Sequence, residues 1–122
     1  MIDHFGINCA DLEAAKTFYD KVLGTLGHRR VMDFDVAVGY GTTMPAFWIS
    51  RFDDMGPNRE MHLAFTADSV EQVEAFHAAA TELGAETLHA PRLWPEYHAH
   101  YYGAFVRDPD GNNVEAVCHA PA

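Results

Sequence analysis

The chain carries one pattern twice. His4-Phe5-Gly6-Ile7-Asn8-Cys9-Ala10-Asp11-Leu12-Glu13 aligns with His62-Leu63-Ala64-Phe65-Thr66-Ala67-Asp68-Ser69-Val70-Glu71 at an offset of 62 − 4 = 58. The alignment keeps His with His, Leu12 with Val70, Glu13 with Glu71 and Phe18 with Phe76. Each copy closes on Leu-Gly, at Leu23-Gly24 and Leu83-Gly84, where the offset is 83 − 23 = 60. Self-similarity on this scale means two related supersecondary units, and it restricts the fold more than any single residue does.

Both copies read alike in physical terms. Residues 4–9 and 61–66 are short, alternating and apolar, which predicts strands. Asp11 can cap a first helix, and Ser69 with Gln72 forms a capping box for a second. Apolar residues then recur at helical spacing: Leu12, Ala15, Phe18, Tyr19 and Val22, then Val70, Val73, Phe76, Ala80 and Leu83. Gly24 and Gly84 are the predicted helix stops. Strand-like stretches follow at 36–40, 46–50, 103–106 and 113–118. Asp108-Pro109-Asp110-Gly111-Asn112 is a turn signal, because Pro presets one dihedral and Gly accepts a positive φ. Residues 53–59, with Gly56-Pro57, read as a surface loop between the halves. The expectation is a single α+β domain over 1–122, with modules at about 1–56 and 57–122. Each module runs strand, helix, then two or three strands; 122 residues are too few for two separate cores.

Composition narrows the partners. Eight Lys and Arg stand against 18 Asp and Glu, a net charge of −10, which argues against nucleic acid and anionic membrane. No apolar run approaches a membrane span, and Met1-Ile2-Asp3-His4 lacks a signal-peptide pattern, so a cytoplasmic protein is expected. Cys9 and Cys118 form no CxxC pair and read as buried thiols. No Walker motif, HExxH or G-x-S-x-G elbow is present, and Gly39-Tyr40-Gly41 is not a dinucleotide fingerprint, because Met44 stands where the third Gly belongs.

The eight histidines are the unusual count. Residues two apart share a strand face, so His4, Gly6 and Asn8 align with His62, Ala64 and Thr66. If the copies pack about a pseudo-twofold axis, the two histidines approach each other. Glu115 lies between apolar neighbours in a predicted strand, where a carboxylate is costly unless paired or metal-bound. Two histidines and a carboxylate on adjacent strands can form a facial triad with open positions for substrate. The alternative is three ordinary strand residues in a hydrogen-bonded network.

On these motifs the whole chain resembles the vicinal oxygen chelate superfamily, the glyoxalase, bleomycin-resistance and extradiol-dioxygenase group. The resemblance rests on Asp3-His4, Phe18-Tyr19, Leu23-Gly24, His62-Leu63-Ala64-Phe65, and Phe105-Val106-Arg107-Asp108-Pro109-Asp110-Gly111-Asn112 running into Val114-Glu115. It implies two βαβββ modules whose mixed sheets curl around a central cavity. It also implies a divalent metal (Fe, Mn, Zn or Ni) on His4, His62 and Glu115, and a homodimer, with modules pairing within or between chains. Glyoxalase I-like members carry a fourth ligand, a Glu, on the last strand of the first module. At an offset of about 67 from Glu115, that position is Trp48, with Ser50 on the same face, and Phe47-Trp48-Ile49-Ser50 holds no carboxylate.

Residues 91–102, Pro91-Arg92-Leu93-Trp94-Pro95-Glu96-Tyr97-His98-Ala99-His100-Tyr101-Tyr102, read either as a loop over the cavity mouth or as a packed surface loop. In the first case Tyr97, His98 or His100 reaches substrate, and Trp48 and Ser50 complete the pocket. His98 and His100 could form a His-x-His pair if the stretch is extended. His98 or Tyr101 is the candidate acid–base group. His119 shares the strand parity of Glu115 and Val117 and could line the cavity if the strand runs on; the blander reading is a fraying terminal residue. His77 reads as surface, and His28 and His89 as loop or strand-end residues. Together these features point to a metal-dependent lyase, isomerase or dioxygenase acting on a small oxygen-rich molecule. The alternative is a metal-free protein that sequesters a ligand or drug.

Overall fold

The computed structural model describes residues 1–52 and 54–119. Asp53, which the sequence places in the connecting loop, and residues 120–122 of the second module lie outside the described residues. In chain order the elements are β1 (Phe5–Asn8), α1 (Leu12–Gly24), β2 (Arg29–Asp33), β3 (Ala37–Gly41), β4 (Pro45–Ser50), β5 (His62–Thr66), α2 (Val70–Glu82), β6 (Thr87–Leu93), β7 (Tyr102–Arg107) and β8 (Asn113–Cys118). Two four-stranded sheets result, ordered β1-β4-β3-β2 and β5-β8-β7-β6. Each is mixed: β1 pairs β4 and β5 pairs β8 in parallel, and the other pairings are antiparallel. The duplicated sequence therefore folds as a duplicated βαβββ unit.

Both helices start where the caps predict. The Asp11 carboxylate accepts the Ala14 N–H at 3.1 Å, and the Ser69 hydroxyl accepts the Gln72 N–H at 3.2 Å. The return bond of the second cap is displaced by one residue, because Gln72 Oε1 accepts from Asp68 N–H at 2.7 Å. Helix ends differ from expectation. Gly84 takes a positive φ of 80° just past α2, but Gly24 is the last helical residue of α1, and Gly27 makes the left-handed turn at φ 89°. Leu83 caps α2 and is exposed, and Ala79 is buried in its place.

Each sheet packs one face on its helix. Ile7, Val38, Tyr40, Phe47 and Ile49 meet α1; Leu63, Ala104, Val106, Val114 and Ala116 lie on the α2 side. The modules join helix side to helix side. Tyr19 and Phe47 pack at 5.0 Å between centroids, and Phe47 meets Phe65 of the second module edge-on at 5.2 Å. The 108–112 turn forms a polar knot across this seam. Asp108 Oδ1 accepts the N–H groups of Asp110 and Asn112, both at 2.9 Å, and Oδ2 accepts from Tyr19 OH at 2.6 Å and Asn112 Nδ2 at 3.0 Å. Asp110 Oδ1 accepts the Ala10 N–H at 3.0 Å. Burial and the Asp108 charge hold the Tyr19 hydroxyl well above its ordinary pKa. Cys9, buried and free beside the same carboxylates, is pushed up to about 12 by burial first and by Asp110 and Asp108 next; Cys118 is also buried and free.

With the helices between the sheets, the second face of each sheet points outward, and these outer faces carry the residues of interest. Among the described residues, no helix is long and apolar enough to cross a membrane.

Candidate functional site

On the outer face of the second sheet, Glu115 is 1% exposed and His62 lies beside it, with Nε2 3.0 Å from Glu115 Oε1. The second imidazole nitrogen, Nδ1, is 3.2 Å from the Asn113 carbonyl, which can only accept, so Nδ1 carries a proton. A neutral His62 then turns a bare Nε2 toward a carboxylate oxygen. Two acceptors at that separation need a proton or a cation between them. The other carboxylate oxygen, Oε2, accepts a hydrogen bond from Tyr101 OH. Burial raises the Glu115 carboxyl above its ordinary pKa, while Tyr101, His62 and His119 pull it the other way. Burial and the Glu115 charge also raise the Tyr101 hydroxyl.

Aromatic rings surround the pair. Phe105, opposite Glu115 in the β7–β8 register, lies 5.9 Å from the His62 ring, 5.5 Å from His89 and 5.2 Å from Trp94. From sequence, Phe105 stands only within a motif and His89 reads as a loop or strand-end residue, so neither is placed at the site. Strand parity could have found the first; His89 sits on β6, an edge strand with no alternation to read.

The 94–101 segment is a compact turn, not an extended strand, so the His98-x-His100 pair does not form. Trp94 N–H donates to Tyr101 O at 2.8 Å, and Trp94 Nε1 donates to Gly103 O at 3.0 Å. His98 Nδ1 accepts the His100 N–H at 3.1 Å, which leaves Nε2 to donate to His119 Nδ1 at 3.0 Å. His119 is therefore tied into the loop and is not a frayed end. Tyr97 is exposed and stacks on Trp94 at 5.6 Å, and the His100 side chain is exposed. His77, read as a surface residue, is half-buried, with Nε2 3.0 Å from the Thr87 hydroxyl.

His4 lies elsewhere. It is exposed, 2.7 Å from Asp3, and with Trp48, Met32 and Met44 it lines a hollow of about 400 Å³ on the first sheet. His62 lines a different hollow of about 370 Å³, walled by Phe5, Phe47 and Phe65. The two histidines do not approach each other within the chain, because the helices stand between the faces that bear them. Among the described residues, no three His, Cys, Asp or Glu side chains converge on one point.

The sheet registers bear on the missing fourth carboxylate. Gly6 faces Trp48 across β1–β4, and Ala64, its repeat counterpart, faces Glu115 across β5–β8. Trp48 thus occupies the position of Glu115 in the first module. Its indole lies over Gly39, where a Cβ would come within 3.0 Å of the ring, and is parallel to Phe34 at 6.2 Å. Ser50 is one strand period further along β4, opposite Asn8.

Comparison with known proteins agrees with this architecture. Residues 1–116 match the family model of the Glyoxalase/Bleomycin resistance protein/Dioxygenase superfamily. The chain belongs to this superfamily. Its fold is similar to a glyoxalase/bleomycin resistance protein from Albidiferax ferrireducens T118, with a TM-score of 0.81, 34% identity, and coverage of 95% of this chain and 96% of that one. A lactoylglutathione lyase from Agrobacterium tumefaciens superposes with a TM-score of 0.67 at 24% identity, covering 94% and 91% of the two chains. The fosfomycin resistance protein FosX from Mesorhizobium loti does so with a TM-score of 0.69 at 16% identity, covering 97% and 91%. Among curated proteins, none matches. Glyoxalase-superfamily members share this scaffold across different chemistries, so the two lower-identity likenesses speak to fold alone.

Proposed function

We propose that the protein is a divalent-metal-dependent lyase, isomerase or dioxygenase for a small oxygen-rich molecule. We further propose that it works as a homodimer. The observation that carries the reading is the His62–Glu115 pair: His62 Nε2 and a buried carboxylate oxygen lie 3.0 Å apart, with Nδ1 of the same ring on the Asn113 carbonyl. That separation suits two adjacent ligands of one cation, with bond lengths of about 2.0–2.2 Å. The Asn113 carbonyl accepts from Nδ1, as a carbonyl or carboxylate commonly does from the far nitrogen of a ligating histidine. A bound divalent ion would supply Lewis acidity toward two adjacent substrate oxygens.

Within this reading, His62 and Glu115 hold the ion and Tyr101 orients Glu115. His4 of a second copy provides the third ligand. The dimer is supported by the outward placement of both faces and by the split of the ligand set between two sheets. Edge strands β1 and β5 leave each sheet open beside its histidine. Trp48, Ser50, Tyr97, His98 and His100 would border the cavity between copies.

Metal analysis of protein purified without chelator or nickel resin tests the proposal. The expected result is close to one equivalent of Fe, Mn, Zn or Ni per chain in the wild type and loss of it in His62→Ala and in His4→Ala. Mixed dimers of those two variants regain one complete site per pair. Metal-free wild type that cannot be loaded overturns the reading. A ligand-sequestering protein is the second reading, favoured by the parallel Phe34 and Trp48 rings at the Glu115-equivalent position; unchanged ligand affinity in His4→Ala supports it.

A further inference from the structure

We infer that Tyr101 is a positioning residue that restricts Glu115 to ligation through one oxygen. The inference rests on the metal reading above and concerns which carboxylate atoms are free to bind. A carboxylate can hold a cation through one oxygen or two. Here Oε2 is taken by the Tyr101 hydroxyl, and only Oε1 faces His62. One-oxygen ligation leaves one more coordination position open for substrate.

The tyrosine is held in place from several directions. Its N–H donates to His98 O at 3.3 Å and its carbonyl accepts from Trp94 N–H. Its ring is edge-on to Tyr97 at 4.9 Å, to His98 at 5.4 Å and to His119 at 5.2 Å. The His98–His119 bond ties the loop to the end of β8, the strand that carries Glu115. Gly103 makes the close approach possible, because a Cβ there would lie 3.1 Å from Glu115 Oε2 and 3.2 Å from Tyr101 Cε1. Hydroxyl, glycine and loop thus converge on a single oxygen atom. An anchor of the whole carboxylate would have no need to single out Oε2.

The test is titration of Co(II) alone into the chelator-stripped full chain, read by its visible ligand-field bands and by competition with an indicator. In Tyr101→Phe, Oε2 is released. The expected result is a loss of band intensity, as the coordination number rises, with affinity weakened about 10- to 100-fold. Bands identical to the wild type overturn the inference and leave the metal site standing. A wild type that binds no Co(II) overturns the inference and the metal reading together. If Tyr101→Phe does not fold, Tyr101→Met serves, because it also removes the hydroxyl from Oε2 and its flexible side chain fills the space; the same spectral change is expected, and unchanged bands overturn the inference. A purely structural role for Tyr101 would lower thermal stability without altering the bands.

Discussion

Replacing Glu115 by Gln should make the metal-stripped protein more stable, although it removes a ligand. Glu115 is 1% exposed, and its partners are the Tyr101 hydroxyl and His62 Nε2. In the wild type, Oε1 faces a second acceptor whenever His62 is neutral, because Nδ1–H is committed to Asn113. The glutamine amide has the same shape. Its oxygen can accept from Tyr101, and its NH₂ can donate to His62 Nε2. One mismatched contact becomes a hydrogen bond worth about 0.5–1.5 kcal/mol, and removal of the buried charge adds roughly 1.5 kcal/mol. Against this, the Tyr101 bond loses its charge assistance, roughly 1 kcal/mol. The net expected gain is about 1–2 kcal/mol, a rise in Tm of roughly 4–8 °C for a domain of this size. Calorimetric melts in EDTA at pH 7.5, at matched protein concentration, measure it. The reasoning is refuted if Glu115→Gln melts below the wild type in EDTA. Adding divalent metal should reverse the order, since only the wild type gains binding energy.

Two further outcomes follow from the backbone and the seam. Gly24→Ala places a methyl in open space on a helical residue and should stabilise by about 0.5–1 kcal/mol, whereas Gly27→Ala, at φ 89°, should destabilise by about 1 kcal/mol or more; urea midpoints distinguish them. Because the folded-state pKa of Cys9 is raised to about 12, its contribution to stability is present below the ordinary thiol value and is lost as pH rises from about 9 toward 12. Urea midpoints should fall over that window, less steeply in Cys9→Ala.

The duplicated sequence made the βαβββ architecture legible, and the helix starts followed from Asp11 and Ser69. Two edge strands escaped because their own sequences carry no strand pattern, whereas the edge strands β1 and β5 alternate and were read. β2 reads Arg-Arg-Val-Met-Asp, without alternation, and β6 contains Pro91. Edge strands use charge and proline to discourage further pairing, and so lose their own signal. Within the candidate site, Glu115 stood out as a carboxylate among apolar residues, and the family resemblance, rather than strand parity, joined His62 to it. The position of His4 was not legible, because the repeat says that two units are alike but not which way each faces. The bond between His98 and His119 joins residues 21 apart whose loop and strand ends meet only in the folded chain.

The knot at Asp108 has a consequence for how the duplication behaves as a folding unit. Asp108 belongs to the second half by sequence, yet one of the four hydrogen bonds to its carboxylate comes from Tyr19 of the first, and Asp110 reaches Ala10 at the entry to α1. A half-chain cut between the modules would bury no partner for the Tyr19 hydroxyl and would bare the apolar sides of both helices. The two copies align in sequence, but each completes the interior of the other. Fragments severed in the connection should therefore recover their structure only by reassembling with each other, as complementing halves of one cooperative body.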